Sequence, residues 1–352
     1  MATHVITDVR RSECHVVVER GLIGSPALLE RLNDGGERHD RIAVLAQPGA
    51  EAVAETVAAA ARSTGATTML VVLPDGEDAK RLAVVEDVCL RLNASGMTRS
   101  DLIVGVGGGA LTDVAGFVAA TYLRGVAAVL VPTTLLAAVD AAIGGKSGVN
   151  VGGKNLAGAF RHPRGVLIDP AVLETLPVEL LRQGSAEALK AGLIADPDLL
   201  ELYERHGLEA PLDEVVERAV AVKVDVVTRD FAERDVRAWL NYGHTVGHAV
   251  EVAAGLSHGE AVAVGMVAAG AASEIALGFG GAARQRAAIT RLGLPTSVSG
   301  VSREAALDLM ALDKKRDRSG LRMTLLRDIA DPVLVPVDPA TVDAALEAVG
   351  IT

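Results

Sequence analysis

The chain has 352 residues, room for two domains, and a formal net charge of −11. No basic run offsets that charge, which excludes nucleic acid as a partner and makes any anionic substrate depend on a local cationic pocket. Half of the residues are hydrophobic but only 2% are aromatic, so the core must be Val, Leu, Ile and Ala; with 37 glycines, this suits helices packed tightly on a buried sheet.

The first residues include Arg10, Arg11 and Glu13 without a following apolar stretch, so no signal peptide is expected. Cys14 and Cys89 form no CxxC, which points to a reduced, cytoplasmic protein without a disulfide framework. Short apolar runs predict strands at His15–Val18, Ile42–Ala46, Met69–Leu73, Leu102–Val106, Ala128–Val131 and Val166–Asp169. Helical patterns at Ala50–Ala61 and Ala79–Leu92 fall between them. This alternation predicts an α/β domain over residues 1–170, a Rossmann-like parallel sheet of nucleotide-binding type. After Pro170 helical periodicity takes over, at Ser185–Ala195, Leu199–His206, Glu214–Thr228, His244–Ala254, Glu260–Leu277 and Ala282–Leu292. Strand signals return only at Met323–Leu326 and Val333–Val335, so residues 171–352 are expected to form a mainly α-helical domain. The most apolar stretch, Ala261–Gly281, contains Glu274 and several glycines and reads as a buried helix, because a membrane span needs ~20 residues nearly free of charge.

Several segments carry chemistry. Gly105-Val106-Gly107-Gly108-Gly109 closes a predicted strand and precedes a helical pattern; such glycines admit a phosphate to the backbone or make a plain tight turn. Asp113 lies where it reaches a cofactor hydroxyl or stays solvated in the first turn of the helix. The acidic turn from Pro74 to Lys80 places Glu77 and Lys80 beside a cofactor, or forms an i,i+3 ion pair at a helix start. Asp140 to Asn155 holds Asp140, Lys146, Asn150, Lys154 and Asn155 in a Gly-rich segment, read as a flexible loop forming an oxyanion pocket. Glu187, with Lys190, sits in an apolar helix and is either surface-facing or a metal ligand. Lys223 and Arg237 add positive charge, as does Asp313-Lys314-Lys315, where a basic helix end is the alternative. His244, His248 and His258 place three of the eight histidines within fifteen positions. His244 and His248 share one helix face, and a third imidazole with a carboxylate completes a metal site.

Together these residues resemble the dehydroquinate synthase family, of the sugar phosphate cyclase superfamily. The resemblance runs from about Asp75 to Lys315 in consistent order. Its blocks are Gly107-Gly108-Gly109 with Asp113, Ala120 to Gly125, Pro132-Thr133-Thr134-Leu135-Leu136, Asp140 with Gly144-Gly145-Lys146, and Lys154-Asn155. Further blocks are Glu187 with Lys190, Arg237 with Leu240 to His244, His248, His258-Gly259-Glu260, and Asp313-Lys314-Lys315. The resemblance implies that Glu187, His244 and His258 bind zinc, with cobalt as an alternative ion. It implies an NAD site of Glu77, Lys80, Gly107, Gly108, Gly109, Asp113, Thr133, Thr134, Lys154 and Thr175. Lys146, Asn155, Lys190, Lys223, Arg237, Asn241, His248 and a lysine of the pair Lys314-Lys315 would line the substrate site with Asp140. Arg124 would reach the substrate of a neighbouring subunit, implying a homodimer.

The implied reaction turns 3-deoxy-D-arabino-heptulosonate 7-phosphate into 3-dehydroquinate and phosphate with transient NAD redox. Three departures from the family pattern fall near the substrate side. The segment from Lys146 to Asn155 is one residue short, Asp140-Ala141-Ala142 replaces Asp-Ser-Ser, and Asp235-Val236-Arg237 replaces Gly-Leu-Arg. They bear on which sugar phosphate is used, and cyclases of an amino analogue or of neutral sugar phosphates are the alternatives. Lys190 and Arg237 favour a carboxylate-bearing substrate, because a neutral head leaves such cations without a partner. A metal-dependent polyol dehydrogenase and a non-catalytic metal-bound regulator are the rival classes.

Overall fold

The computed structural model describes residues 12–32, 38–314 and 321–352. Its centre is a six-stranded, all-parallel sheet. The strands are β1 (His15–Val18), β2 (Arg41–Ala46), β3 (Thr67–Val72), β4 (Leu102–Gly107), β5 (Ala127–Pro132) and β8 (Gly165–Ile168), in the spatial order β1-β8-β5-β4-β2-β3. Between β5 and β8 an antiparallel hairpin projects from the sheet, β6 (Lys146–Val149) against β7 (Ala157–Phe160). A second hairpin, β9 (Arg322–Asp328) with β10 (Asp331–Pro336), sits among the later helices.

Alternation along the strands explains the layers. Ile42, Val44 and Ala46 of β2 and Leu102, Val104 and Val106 of β4 pack on one side, against the helices Ala27–Leu32 and Glu51–Ser63. Ala43, Leu45 and Ile103 point the other way, into a larger apolar cluster that continues through the helices after residue 170. Gly105 is required there, since a side-chain carbon on it would lie 2.5 Å from Ala115 Cβ of the helix Gly109–Thr121.

The sheet expected for the first half is present, with strand ends within two residues of their predicted places. Asp169 ends the run differently: it caps the helix Pro170–Leu173, and its carboxylate also accepts from the Gly21 and Ile23 amides. The helix expected from Ala79 begins at Leu82, because Gly76–Ala79 is a separate 3-10 turn. The segment read as a flexible loop from Asp140 to Asn155 is instead a π turn (Ala137–Ala141) followed by β6 and the hairpin connection. The helices Ala27–Leu32, Arg303–Lys314 and Pro339–Glu347 were not anticipated.

The apolar helix His258–Leu277 has the length and composition of a membrane span, but most of it is buried in the protein. A capping box starts it: Glu260 accepts from the Ser257 amide at 3.0 Å and from its hydroxyl at 2.6 Å. This helix crosses the histidine helix His244–Ala254 at glycine-to-backbone contact. A side-chain carbon on Gly265 would lie 1.9 Å from the Gly243 carbonyl oxygen, and one on Gly259 would lie 2.4 Å from the Gln183 carbonyl oxygen. Those approaches draw the histidine helix, the apolar helix and the helix Val178–Ile194 into one three-way junction.

Candidate active site

At the junction, each helix contributes one side chain. Glu187 comes from the helix Val178–Ile194, His244 from the first turn of the histidine helix, and His258 from the start of the apolar helix. One donor atom from each lies within 4.8 Å of the others. Glu187 Oε1 is 3.4 Å from His244 Nε2 and 3.2 Å from His258 Nε2. The outer ring nitrogens are engaged: His244 Nδ1 lies 3.2 Å from the Tyr242 carbonyl, and His258 Nδ1 lies 3.4 Å from Glu251 Oε2. One carboxylate oxygen and two imidazole nitrogens converge, with each imidazole held from behind, as in a three-residue divalent-metal site. His248 stands beside the cluster, its ring 5.2 Å from that of His244 and 6.4 Å from that of His258.

Glu187 is therefore neither surface-facing nor isolated; its second oxygen pairs with buried Lys190. Burial opposes ionisation of Glu187, but Lys190 and the two imidazoles outweigh it and hold the carboxyl well below its usual range. Burial, reinforced by Lys190, pushes His244 down to about 3, so it is neutral and able to donate a lone pair. Burial acts the same way on His258, but Glu187 and Glu251 reverse the effect and lift it to about 9.

A cationic row adjoins the cluster. Lys223 pairs with Asp140, and Asp140 also feels Lys190. Burial would raise the Asp140 carboxyl, and the two lysines bring it below its usual value. Burial depresses Lys223 despite that pairing. Arg237 is almost fully buried and donates to the Phe231 carbonyl at 2.6 Å and the Gly144 carbonyl at 3.0 Å. Its loop is folded by Asp230, whose carboxylate accepts from the amides of Arg234, Asp235 and Arg237. Glu233, on the same loop, bridges Lys146 and Asn241, accepting from the Asn241 amide at 3.1 Å.

The second assembly lies at the carboxyl ends of β2 and β4, where the chain order reverses across the sheet. Open parallel sheets bind nucleotides at such a switch point. Gly108 caps the helix Gly109–Thr121, the Thr133 amide donates to the Gly107 carbonyl at 2.9 Å, and Thr134 packs against Gly108. Lys80 pairs with Asp113 at 2.6 Å, whereas Glu77 is 4.0 Å away, so the i,i+3 ion pair is the weaker contact. Burial lifts Asp113 to about 6, against the opposing pull of Lys80. Asn150 ties the hairpin to this crevice, donating from its backbone to the Lys80 carbonyl and from its side chain to Glu77, both at 2.8 Å. Ala141, where the family pattern has serine, faces Gly109 across this turn.

The polar residues expected to form an oxyanion pocket between Asp140 and Asn155 each meet a partner within the protein. Lys146 turns to Glu233 and Lys154 to Glu251, while the Asn155 amide, on left-handed backbone, donates to Asn150 Oδ1 at 2.9 Å. Thr175 is exposed, its hydroxyl committed to the Val172 carbonyl at 2.7 Å. Arg124 is exposed on a turn with left-handed backbone at Leu123 and Arg124. Lys314 ends a helix, but its side chain and Lys315 fall outside the described residues. Sequence reading missed Glu233 and Glu251, although His244, His248 and Glu251 follow the i, i+4, i+7 spacing of one helix face.

Two family models match in tandem: 3-dehydroquinate synthase N-terminal over residues 70–183 and 3-dehydroquinate synthase C-terminal over residues 184–316. The chain belongs to the 3-dehydroquinate synthase family. A 3-dehydroquinate synthase of Thermobifida fusca is 44% identical over 332 residues, spanning 91% of this chain and 89% of that one. Among solved structures, ValA, a 2-epi-5-epi-valiolone synthase from Streptomyces hygroscopicus with NAD+ and Zn2+ bound, superimposes with a TM-score of 0.89 at 29% identity, covering 98% of this chain and 99% of the other. A 2-deoxy-scyllo-inosose synthase complexed with carbaglucose-6-phosphate, NAD+ and Co2+ gives 0.84 at 27% identity, covering 94% and 95%.

Proposed function

We propose that this member of the 3-dehydroquinate synthase family is a carbon–oxygen lyase of aromatic amino acid biosynthesis, the shikimate pathway. It converts 3-deoxy-D-arabino-heptulosonate 7-phosphate to 3-dehydroquinate and phosphate. The observation that carries this reading is the convergence of Glu187 with His244 and His258 next to Lys190 and Lys223, in a chain 44% identical to a 3-dehydroquinate synthase.

Glu187, His244 and His258 would hold a divalent ion, zinc or cobalt, and the crevice beside β4 would hold NAD. That fit is supported by the donor set, by the switch-point turn, and by the metals and NAD+ in the two solved relatives. When bound, these groups supply a Lewis acid and a reversible hydride acceptor. Glu77, Lys80, Gly107, Gly108, Gly109, Asp113, Thr133, Thr134, Lys154 and Thr175 are assigned to the cofactor. Lys146, Asn155, Lys190, Lys223, Arg237, Asn241, His248 and Lys314 are assigned to the substrate. Buried cations in this row grip carboxylate and phosphate where water does not screen them. Asp140 holds Lys223 in place, and His248, beside the metal cluster, is assigned to proton transfer. Glu233 occupies Lys146 and Asn241 in a manner that substrate oxygens would replace.

Arg124 would complete the site of a second copy in a homodimer. Residues 1–170 would form the NAD domain and 171–352 the metal and substrate domain. The unpaired Cys14 and Cys89 suit a cytoplasmic location.

The test is phosphate release by zinc-loaded protein with NAD, comparing the heptulosonate phosphate, its amino analogue and sedoheptulose 7-phosphate. Preferred turnover of the heptulosonate is expected. Preference for either other sugar would retain the fold and move the protein to another cyclase activity.

A further inference from the structure

Glu251 belongs to neither set of assigned residues, yet it touches both. It lies on the histidine helix, on the face that carries His244 and His248, with its side chain only 11% exposed. Oε2 stands 3.4 Å from His258 Nδ1, and Oε1 pairs with Lys154 Nζ. His258 Nε2 faces Glu187 at 3.2 Å. A polar chain therefore runs from Lys154 through Glu251 and His258 to Glu187. Lys154 lies in the connection between β6 and β7, and Asn150, in that same connection, bonds Lys80 and Glu77 of the crevice. One hairpin connection is thus tied to the crevice at one point and to the metal cluster at another.

We propose that Glu251 is a positioning residue that couples metal binding to NAD binding. The inference rests on the reading of Glu187, His244 and His258 as metal ligands and of Lys154 as a cofactor residue. A neutral imidazole carries its proton on either nitrogen, and only the tautomer protonated at Nδ1 leaves a lone pair at Nε2. Glu251 accepts that Nδ1 proton and so selects the ligating tautomer and the ring orientation. Its other oxygen holds Lys154. Metal at Nε2 draws the Glu251 charge toward His258 and frees Lys154 for an anionic ligand, while a ligand that takes Lys154 leaves the full carboxylate charge behind His258. Each event favours the other, and the coupling is reciprocal.

The experiment measures zinc affinity by chelator competition, and NAD affinity with and without zinc, in wild type, E251A, E251Q and K154M. Zinc is expected to tighten NAD binding to wild type by about fivefold or more. E251A should bind zinc roughly 10- to 100-fold more weakly, the usual effect of removing the group behind a ligating histidine. E251Q keeps an acceptor for Nδ1–H and should hold zinc better than E251A but lose the coupling. K154M leaves the full Glu251 charge behind His258, so it should bind zinc at least as tightly as wild type and also lose the coupling. Zinc binding to E251A within about twofold of wild type, or undiminished coupling in E251Q and K154M, would overturn the proposal. Wild type without zinc affinity would overturn the metal-ligand reading itself.

Discussion

At the ends of β2 and β4 Lys80 has one close acid, Asp113 at 2.6 Å, with Glu77 further off at 4.0 Å. At the helix junction the single carboxylate of Glu187 faces Lys190, His244 and His258 together. The crevice is made mostly of backbone: a glycine turn, a helix start and the Thr133 amide, all within one stretch of chain after two adjacent strands. The junction is made of side chains from three helices, held in register by glycines pressed on carbonyls. A site of backbone survives the loss of one side chain; a site of shared charge does not.

The largest contrast is expected at the junction. His258→Ala should lower zinc affinity and turnover together by more than about 100-fold, beyond the usual effect of a group behind a ligand, while NAD still binds; full metal content by elemental analysis would refute its ligand role. Arg237→Ala should weaken the carboxylate substrate by about ten- to a hundredfold, the worth of a charge-assisted hydrogen bond, and leave NAD affinity nearly unchanged. Equal losses in the two titrations would make Arg237 a structural residue, holding the Gly144 and Phe231 carbonyls.

Gly265→Ala puts a carbon 1.9 Å from the Gly243 carbonyl oxygen and should cost about 1–3 kcal/mol, as overpacking does. Gly280→Ala meets nothing within 4 Å and serves as the control in the same urea titration. Matching midpoints for the two variants would mean that the helix crossing yields freely.

The crevice should give an effect of similar size, but one that depends on pH. Burial lifts Asp113 to about 6 in the folded protein, above the ordinary carboxylate value of 3.8, so the folded state binds the proton more tightly. Its contribution to stability is full below about pH 4, falls as pH rises through 6 and is level above that. The stability difference between wild type and Asp113→Asn should shift by about 1–3 kcal/mol across that window, from the worth of a pKa unit. A difference that stays flat from pH 4 to pH 7 would show that burial does not disfavour the Asp113 charge.

The two regions also differ in how far they can be read from sequence. β4 is legible because each of its residues from Leu102 to Gly107 is buried, giving an apolar run that ends in glycines. Spacing marked out the three histidines His244, His248 and His258, but the choice of His244 and His258 with Glu187 came from the family resemblance, and Glu187 was not distinguishable from a surface acid until tertiary packing buried it. The hairpin of β6 and β7 was hidden because Gly148 and Gly158 mimic a loop. A side-chain carbon on Gly158 would lie 2.4 Å from the Ser147 carbonyl oxygen, so the glycines serve close strand pairing. Glu233 carries no local signature, and its partner Lys146 is 87 residues away; Glu251 shows only its place on the face of His244 and His248, with its partner Lys154 97 residues away.

The most direct test follows phosphate and NADH together while zinc-loaded protein turns over the heptulosonate phosphate with NAD. Many phosphates released per NAD, with no NADH accumulating, is the predicted result. NADH rising in step with substrate loss, or no phosphate at all, would contradict a lyase that returns its hydride.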